Sequence, residues 1–185
     1  MQQWLRRTAA ALMPMVSQPA EIAGRNRMWR RTAMDAIRSD PEWNNGEYKK
    51  QPAGVITAAR ILTIAASGPR DLQTRAPSRE TADQLLEEIS AGWTHSDAND
   101  LLYQLDCSRT YNPEPELEKI RARLIAINVS DDFINPPDLG IMENAIKRVK
   151  NGKFVLLLTG RRHRTVGDPS LWKKYLEELL SAPVR

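Results

Sequence analysis

One cysteine, two histidines and an aromatic content of 6% are the scarcities of this 185-residue chain, and each removes a class of protein. With Cys107 alone, an internal disulfide is impossible and a cysteine-based metal site lacks its ligands. No metal or cofactor is expected. A reducing, cytoplasmic setting is the corresponding expectation. No histidine or other base lies near Cys107 in sequence, and a small buried hydrophobe rather than a nucleophile is expected there. No uninterrupted apolar run approaches the span of a bilayer, which predicts a soluble chain with no membrane partner. Few aromatics and no recognition motif argue against a nucleic-acid surface.

What is present is enough apolar residue, 41%, for a core of ordinary size. The formal charge of +4 is modest, but its positive residues cluster in Arg25 to Arg38 and Lys147 to Arg164. With acidic residues interleaved elsewhere, both clusters read as solvated faces. The opening MQQWLRRTAAALMPMVSQPA has arginines ahead of an Ala/Leu/Met run, as a targeting peptide does. That run is short and interrupted by Pro14, and export or import is not expected.

The organising stretch is Leu124 to Pro137, LIAINVSDDFINPP. Leu124 to Ile127 has the length and branching of a strand buried on both faces, and Asp131 and Asp132 sit at its carboxyl end, where open parallel sheets collect ligands and catalytic groups. A helix cap for one Asp and solvation for the other is the plainer alternative. A helix follows from Pro137 to about Lys150, with Ile141, Met142, Ala145, Ile146 and Val149 as its inner stripe. Lys153 to Thr159 is a second buried strand, His163 lies just beyond it, and an amphipathic helix runs from Pro169 to Ser181. Strand, Asp, helix, strand, His, helix predicts parallel strands joined by a right-handed crossover, with Asp and His leaving one edge of the sheet.

Upstream the texture is helical. Met1 to Leu12 reads as a helix remnant and Ala11 to Ser17 as a short strand broken by Pro14. Helices are predicted over Met28 to Ile37, Gly54 to Ala66, Ser78 to Ser90 and Ala98 to Leu105. The proline of Ser39-Asp40-Pro41 stops the first, and Gly68-Pro69 stops the second. Trp43 to Tyr48 is a turn of residues that tolerate a left-handed backbone.

Asp and His after successive parallel strands are two thirds of the apparatus for nucleophilic acyl transfer, in which His takes a serine proton and Asp fixes the imidazole tautomer. The order Ser, Asp, His belongs to the α/β-hydrolase fold, yet no G-x-S-x-G elbow occurs in the chain. The segments AGRNRMWRRTAMDAIRSDPEWNNGEYKKQPAGVITAAR, DANDLLYQLDCSRTYNPEPELEKIRARLIAINVSDDFINPPDLGIMENAIKRVKNGKFVLLL and LWKKYLEELL resemble the homoserine O-acetyltransferase-like branch of the α/β-hydrolases. The resemblance covers nearly the whole chain and implies the C-terminal part of that fold: about three parallel strands, six to eight, with an inserted helical lid. Residues 1–17 would hold the end of the nucleophile helix and the sixth strand, 18–106 the lid, and 107–185 the α/β part with the triad Asp and His. The chain resembles one that starts just past the catalytic serine.

Carried over by residue, the resemblance implies His163 as base and Asp132 as acid, since Asp132 stands four before Pro136 as the fold's acid usually does. Asp131 remains the alternative. His163 departs from the family's Gly-His-Gly or Gly-His-Asp setting: Arg162 and Arg164 flank it and would disfavour the imidazolium. His95, in a polar lid loop, reads as a surface histidine. Ala36-Ile37, Asp40-Pro41 and Gly46-Glu47-Tyr48 match the lid signature of the acetyltransferases, but Ala66-Ser67-Gly68-Pro69 replaces their substrate-contacting Tyr-Arg-Ser, which places homoserine as substrate in question. The implied partners are a small-molecule acyl donor, acetyl-CoA among the options, and an acceptor; an oligomer is open. Two functions follow: a truncated acyltransferase or hydrolase, inactive alone without its serine, or a non-catalytic module pairing with another chain.

Overall fold

A computed structural model describes residues 11–93, 95–158 and 166–181. The chain divides into two compact units, residues 22–111 and the combination of 1–21 with 112–185. No described helix is long and apolar enough to cross a membrane.

The second of these holds a three-stranded parallel sheet in the order β1-β2-β3, with β1 at Ala11–Leu12, β2 at Arg123–Val129 and β3 at Gly152–Leu157. β1 pairs Ala11 with Arg123 and Leu12 with Leu124; β3 pairs with β2 from Leu124↔Gly152 to Val129↔Leu157. Proline has no N–H to give the ladder, so β1 stops short of Pro14. The carbonyl of Pro14 nevertheless accepts from the Ile127 N–H (2.9 Å), and Met15 forms an isolated bridge with Ile127. The expected helix over Met1 to Leu12 falls mostly outside the described residues, and its last two positions are strand.

β2 is buried on both faces, as its unbroken apolar run predicts. Leu124 and Ala126 pack with Leu117, Met142, Ala145 and Val149. Ile125 and Ile127 pack on the other face with Leu179, Trp172 and Tyr175 of helix α7, Pro169–Ser181. Each fully buried branched side chain there contributes about 1.5–3 kcal/mol.

β3 differs from expectation. It is an edge strand among the described residues, half-exposed, with Leu158 just beyond it 85% exposed. Apolar content predicts burial only where a neighbour exists on each side, and a sequence run does not reveal strand order. Phe154 and Val155 still reach the two cores, and Lys153 Nζ bonds the Glu178 carboxylate of α7 at 2.6 Å.

The helix expected from Pro137 to Lys150 is also shorter. Pro137–Leu139 is a single 3₁₀ turn, Gly140 takes φ +66°, and helix α6 covers only Ile141–Ile146. Gly140 adopts the left-handed conformation at little cost and thereby separates the two pieces. The inner stripe survives, with Met142, Ala145 and Val149 buried.

The helical unit contains α1 (Gly24–Arg38), α2 (Gly54–Ala66), α3 (Pro69–Arg75), α4 (Arg79–Gly92) and α5 (Ala98–Asp106). Its core joins Ala33, Met34 and Ile37 of α1, Val55 and Ala58 of α2, and Leu101, Leu102 and Leu105 of α5. α1 and α2 approach so closely that a Cβ on Gly54 would lie 2.3 Å from the Ala36 carbonyl oxygen. Ser78 closes a capping box with Thr81 at the start of α4, and Asp97 caps α5 through the N–H groups of Asn99 and Asp100. The short α3 was not expected: Pro69 does end α2, but its fixed φ also suits the first turn of a new helix. Cys107 corrects a second expectation. It is exposed, because it caps the carboxyl end of α5 off the Leu101/Leu102/Leu105 stripe.

The turn between α1 and α2 is held by the residues of its signature. Asp40 accepts from the Glu42 N–H (2.9 Å) through one oxygen and from the Gly54 N–H (2.7 Å) through the other. Asn44 and Asn45 take φ of 44° and 55°. Tyr48 Oη donates to Asp97 (2.5 Å) and accepts from the N–H of Ala98 (3.1 Å), while Trp43 Nε1 donates to Asn99 Oδ1 (2.9 Å). Burial, then the Asp97 bond, holds the Tyr48 hydroxyl above its usual pKa; the same bond holds the Asp97 carboxyl below its own.

Candidate active site

The carboxyl ends of β1 and β2 meet where the two aspartates emerge. Ser130 still bonds the Leu157 carbonyl of β3 (2.9 Å), so the chain leaves the sheet only after it. It then turns sharply: the Asp132 N–H reaches back to the Val129 carbonyl (3.3 Å). Asp132 is 3% exposed. Its Oδ1 accepts from the backbone N–H groups of Ile134 (2.8 Å) and Asn135 (3.1 Å). A buried polar group needs such partners, and these donors also fix the direction of the carboxyl group.

Asp131 is placed differently. It is half-buried, and its Oδ1 is enclosed without a hydrogen-bond partner among the described residues. The two adjacent carboxylates therefore differ in the way that matters for orientation: one is aimed by backbone donors, the other is not.

The acid turn is tied to the end of β1. Asn135 Nδ2 donates to the Val16 carbonyl (2.7 Å), and the Val16 N–H donates to the Ile127 carbonyl (2.8 Å). Val16 has φ 42°, a conformation that costs a β-branched residue about 1–3 kcal/mol and persists only when the surroundings hold it. One residue on, Asn128 of β2 clasps Ser17 at two points, accepting from its N–H (3.2 Å) and donating to its carbonyl (3.0 Å). Sequence reading did not single out Asn128 or Asn135. A polar residue inside an apolar strand run, and an Asn immediately before two prolines, were the signals available.

His163, the expected base, lies outside the described residues, as do Arg162 and Arg164. β3 runs parallel to β2, paired as far as Val129↔Leu157, so its carboxyl end lies at the same edge of the sheet as that of β2, just beyond which Asp132 sits. His95 is exposed in the connection between α4 and α5. Among the described residues no cluster of three His, Cys, Asp or Glu could hold a metal ion.

The parallel sheet with helices on both faces, and a buried aspartate after its central strand, fit the α/β-hydrolase fold of the solved structures that this chain resembles. Homoserine O-acetyltransferase from Bacillus anthracis superposes with a TM-score of 0.87 at 20% identity, over 100% of this chain and 57% of that one. Esterase E22 gives 0.82 at 20% identity, over 93% of this chain and 54% of its own. Homoserine O-acetyltransferase from Staphylococcus aureus gives 0.72 at 14% identity, over 94% and 51%. This chain therefore spans little more than half the length of the structures it resembles. No protein-family model and no curated protein matches it.

Proposed function

We propose that the chain carries the acid and base of a Ser–His–Asp triad for acyl transfer or ester hydrolysis, with Asp132 as acid and His163 as base. The observation behind this reading is the buried Asp132 carboxylate, aimed by the Ile134 and Asn135 N–H groups at the carboxyl end of the central strand. In that role Asp132 accepts a hydrogen bond from the His163 imidazole, selects its tautomer and stabilises the imidazolium formed when a serine hydroxyl gives up its proton. The same proton then passes to the leaving group. The reading includes no nucleophile from this chain, because no G-x-S-x-G elbow is present in it. Without serine and its oxyanion hole the larger catalytic contribution is missing, and the chain alone is inactive.

The test has two parts. The purified chain should not hydrolyse p-nitrophenyl acetate. Joined behind the elbow-bearing part of a related esterase, it should do so, with Asp132→Asn and His163→Ala each lowering kcat by about 10³-fold or more and Asp131→Asn leaving most of the activity. An active joined protein indifferent to Asp132→Asn would refute the assignment. Hydrolysis by the chain alone, abolished by His163→Ala, would refute the claim of inactivity.

A further inference from the structure

We propose that Asn135 is a positioning residue for the Asp132 carboxylate, fixing the turn that presents it by tethering that turn to the carboxyl end of β1; the functional weight of this rests on Asp132 being the triad acid. Asn135 acts at both ends of the link. Its backbone N–H donates to Asp132 Oδ1 (3.1 Å), and its side-chain Nδ2 donates to the Val16 carbonyl (2.7 Å). Val16 is in turn held to β2 by its own N–H on the Ile127 carbonyl (2.8 Å). The path from β2 through the acid turn, across to β1 and back to β2 is thus closed by hydrogen bonds. Both Asp132 and Asn135 are buried.

The strained backbone of Val16 fits this account. A valine at φ 42° does not hold its carbonyl in place by local preference, so that carbonyl's direction is set by what bonds it. Asn128 supplies an internal control. It is equally buried and makes two bonds to the neighbouring Ser17, but none of them involves the acid turn. Losing Asn128 loosens β1 from β2; losing the Asn135 side chain frees the N–H groups that aim Asp132. A carboxylate whose donors lose their fixed direction is no longer aimed by them.

The experiment is amide hydrogen exchange in the full chain at the Ile134 and Asn135 backbone N–H groups that aim Asp132, comparing Asn135→Ala and Asn128→Ala with the unchanged protein. Asn135→Ala should speed exchange of these two amides by about tenfold or more relative to the amides of β2, and Asn128→Ala should leave them in step with β2. Unchanged relative protection in Asn135→Ala, or an equal selective loss in Asn128→Ala, would overturn the proposal. Should Asn135→Ala not fold, exchange of the Asn135 side-chain amide protons in the unchanged chain decides: protection well beyond that of exposed asparagines is expected, and solvent-rate exchange refutes the tether. The two readings fail separately. Selective loss of amide protection in Asn135→Ala beside an active Asp132→Asn joined protein removes the acid role and leaves the tether; unchanged protection beside an inactive one does the reverse.

Discussion

Replacing Tyr48 by Phe should destabilise the helical unit by an amount that depends on pH in a specific way. The substitution keeps the ring against the core and removes only the hydroxyl, which donates to Asp97 (2.5 Å) and accepts from the N–H groups of Ala98 (3.1 Å) and Asn99 (3.3 Å). A buried charge-assisted bond would be worth about 1.5–3 kcal/mol, but Asp97 is exposed and solvent screens the pair, so the expected loss near neutral pH is about 1 kcal/mol. In a protein of this size that lowers Tm by about 2–4 °C.

The pH dependence follows from the two shifts. The folded pKa of Asp97 lies below its unfolded value, chiefly because of the Tyr48 bond, so its contribution is present above the unfolded pKa and is lost as pH falls through the folded one. The folded pKa of Tyr48 lies above its unfolded value, through burial first and the Asp97 bond second; its contribution is present below the unfolded pKa and lost as pH rises through the folded one. The gap between wild type and Tyr48→Phe should therefore form a plateau across neutral pH and narrow at both extremes. Urea denaturation followed by circular dichroism from acid to alkaline pH measures it. A gap that stays constant across the range, or is absent at pH 7, would show that the hydroxyl does not hold the turn to α5.

Two further outcomes are expected. Gly54→Ala places a Cβ 2.3 Å from the Ala36 carbonyl oxygen, so α1 and α2 must separate, and thermal melts should show a loss of about 1–3 kcal/mol where an ordinary helical Gly→Ala would gain stability. Cys107, being exposed, should react fully with Ellman's reagent in the native protein within minutes, and Cys107→Ser should alter stability by less than about 0.5 kcal/mol; a thiol that reacts only in denaturant would contradict its placement.

The lid signature now has a physical content. Asp40, Gly46 and Tyr48 resemble a family pattern, and in this structure all three build the turn itself. Asp40 bonds Gly54, Gly46 takes φ +95° against Asn99, and Tyr48 bonds the cap of α5. Their presence is consistent with a shared architecture and carries no information about substrate. The positive clusters are likewise in part neutralised locally, by Arg31 with Asp35 and by Arg148 with Glu118. Exposed pairs of this kind contribute little to stability.

Local chemistry in the chain was enough to determine the elements whose cause is local. The 13-residue apolar period of α2, the Ser78 start of α4, the proline that stops α1 and the branched run of β2 each act within a few residues, and the structure places them where the sequence does. The parallel α/β order of the closing segment was legible for the same reason. Tertiary structure alone decided three other matters. Among the described residues it made β3 an edge, because strand order is a property of the assembled sheet. It exposed Cys107, because burial depends on which side of α5 faces the core. Finally, it gave Asp132 and Asp131 different surroundings: the donors that aim the Asp132 carboxylate come from a turn held, through Asn135, by Val16 just past β1, more than a hundred residues away in sequence.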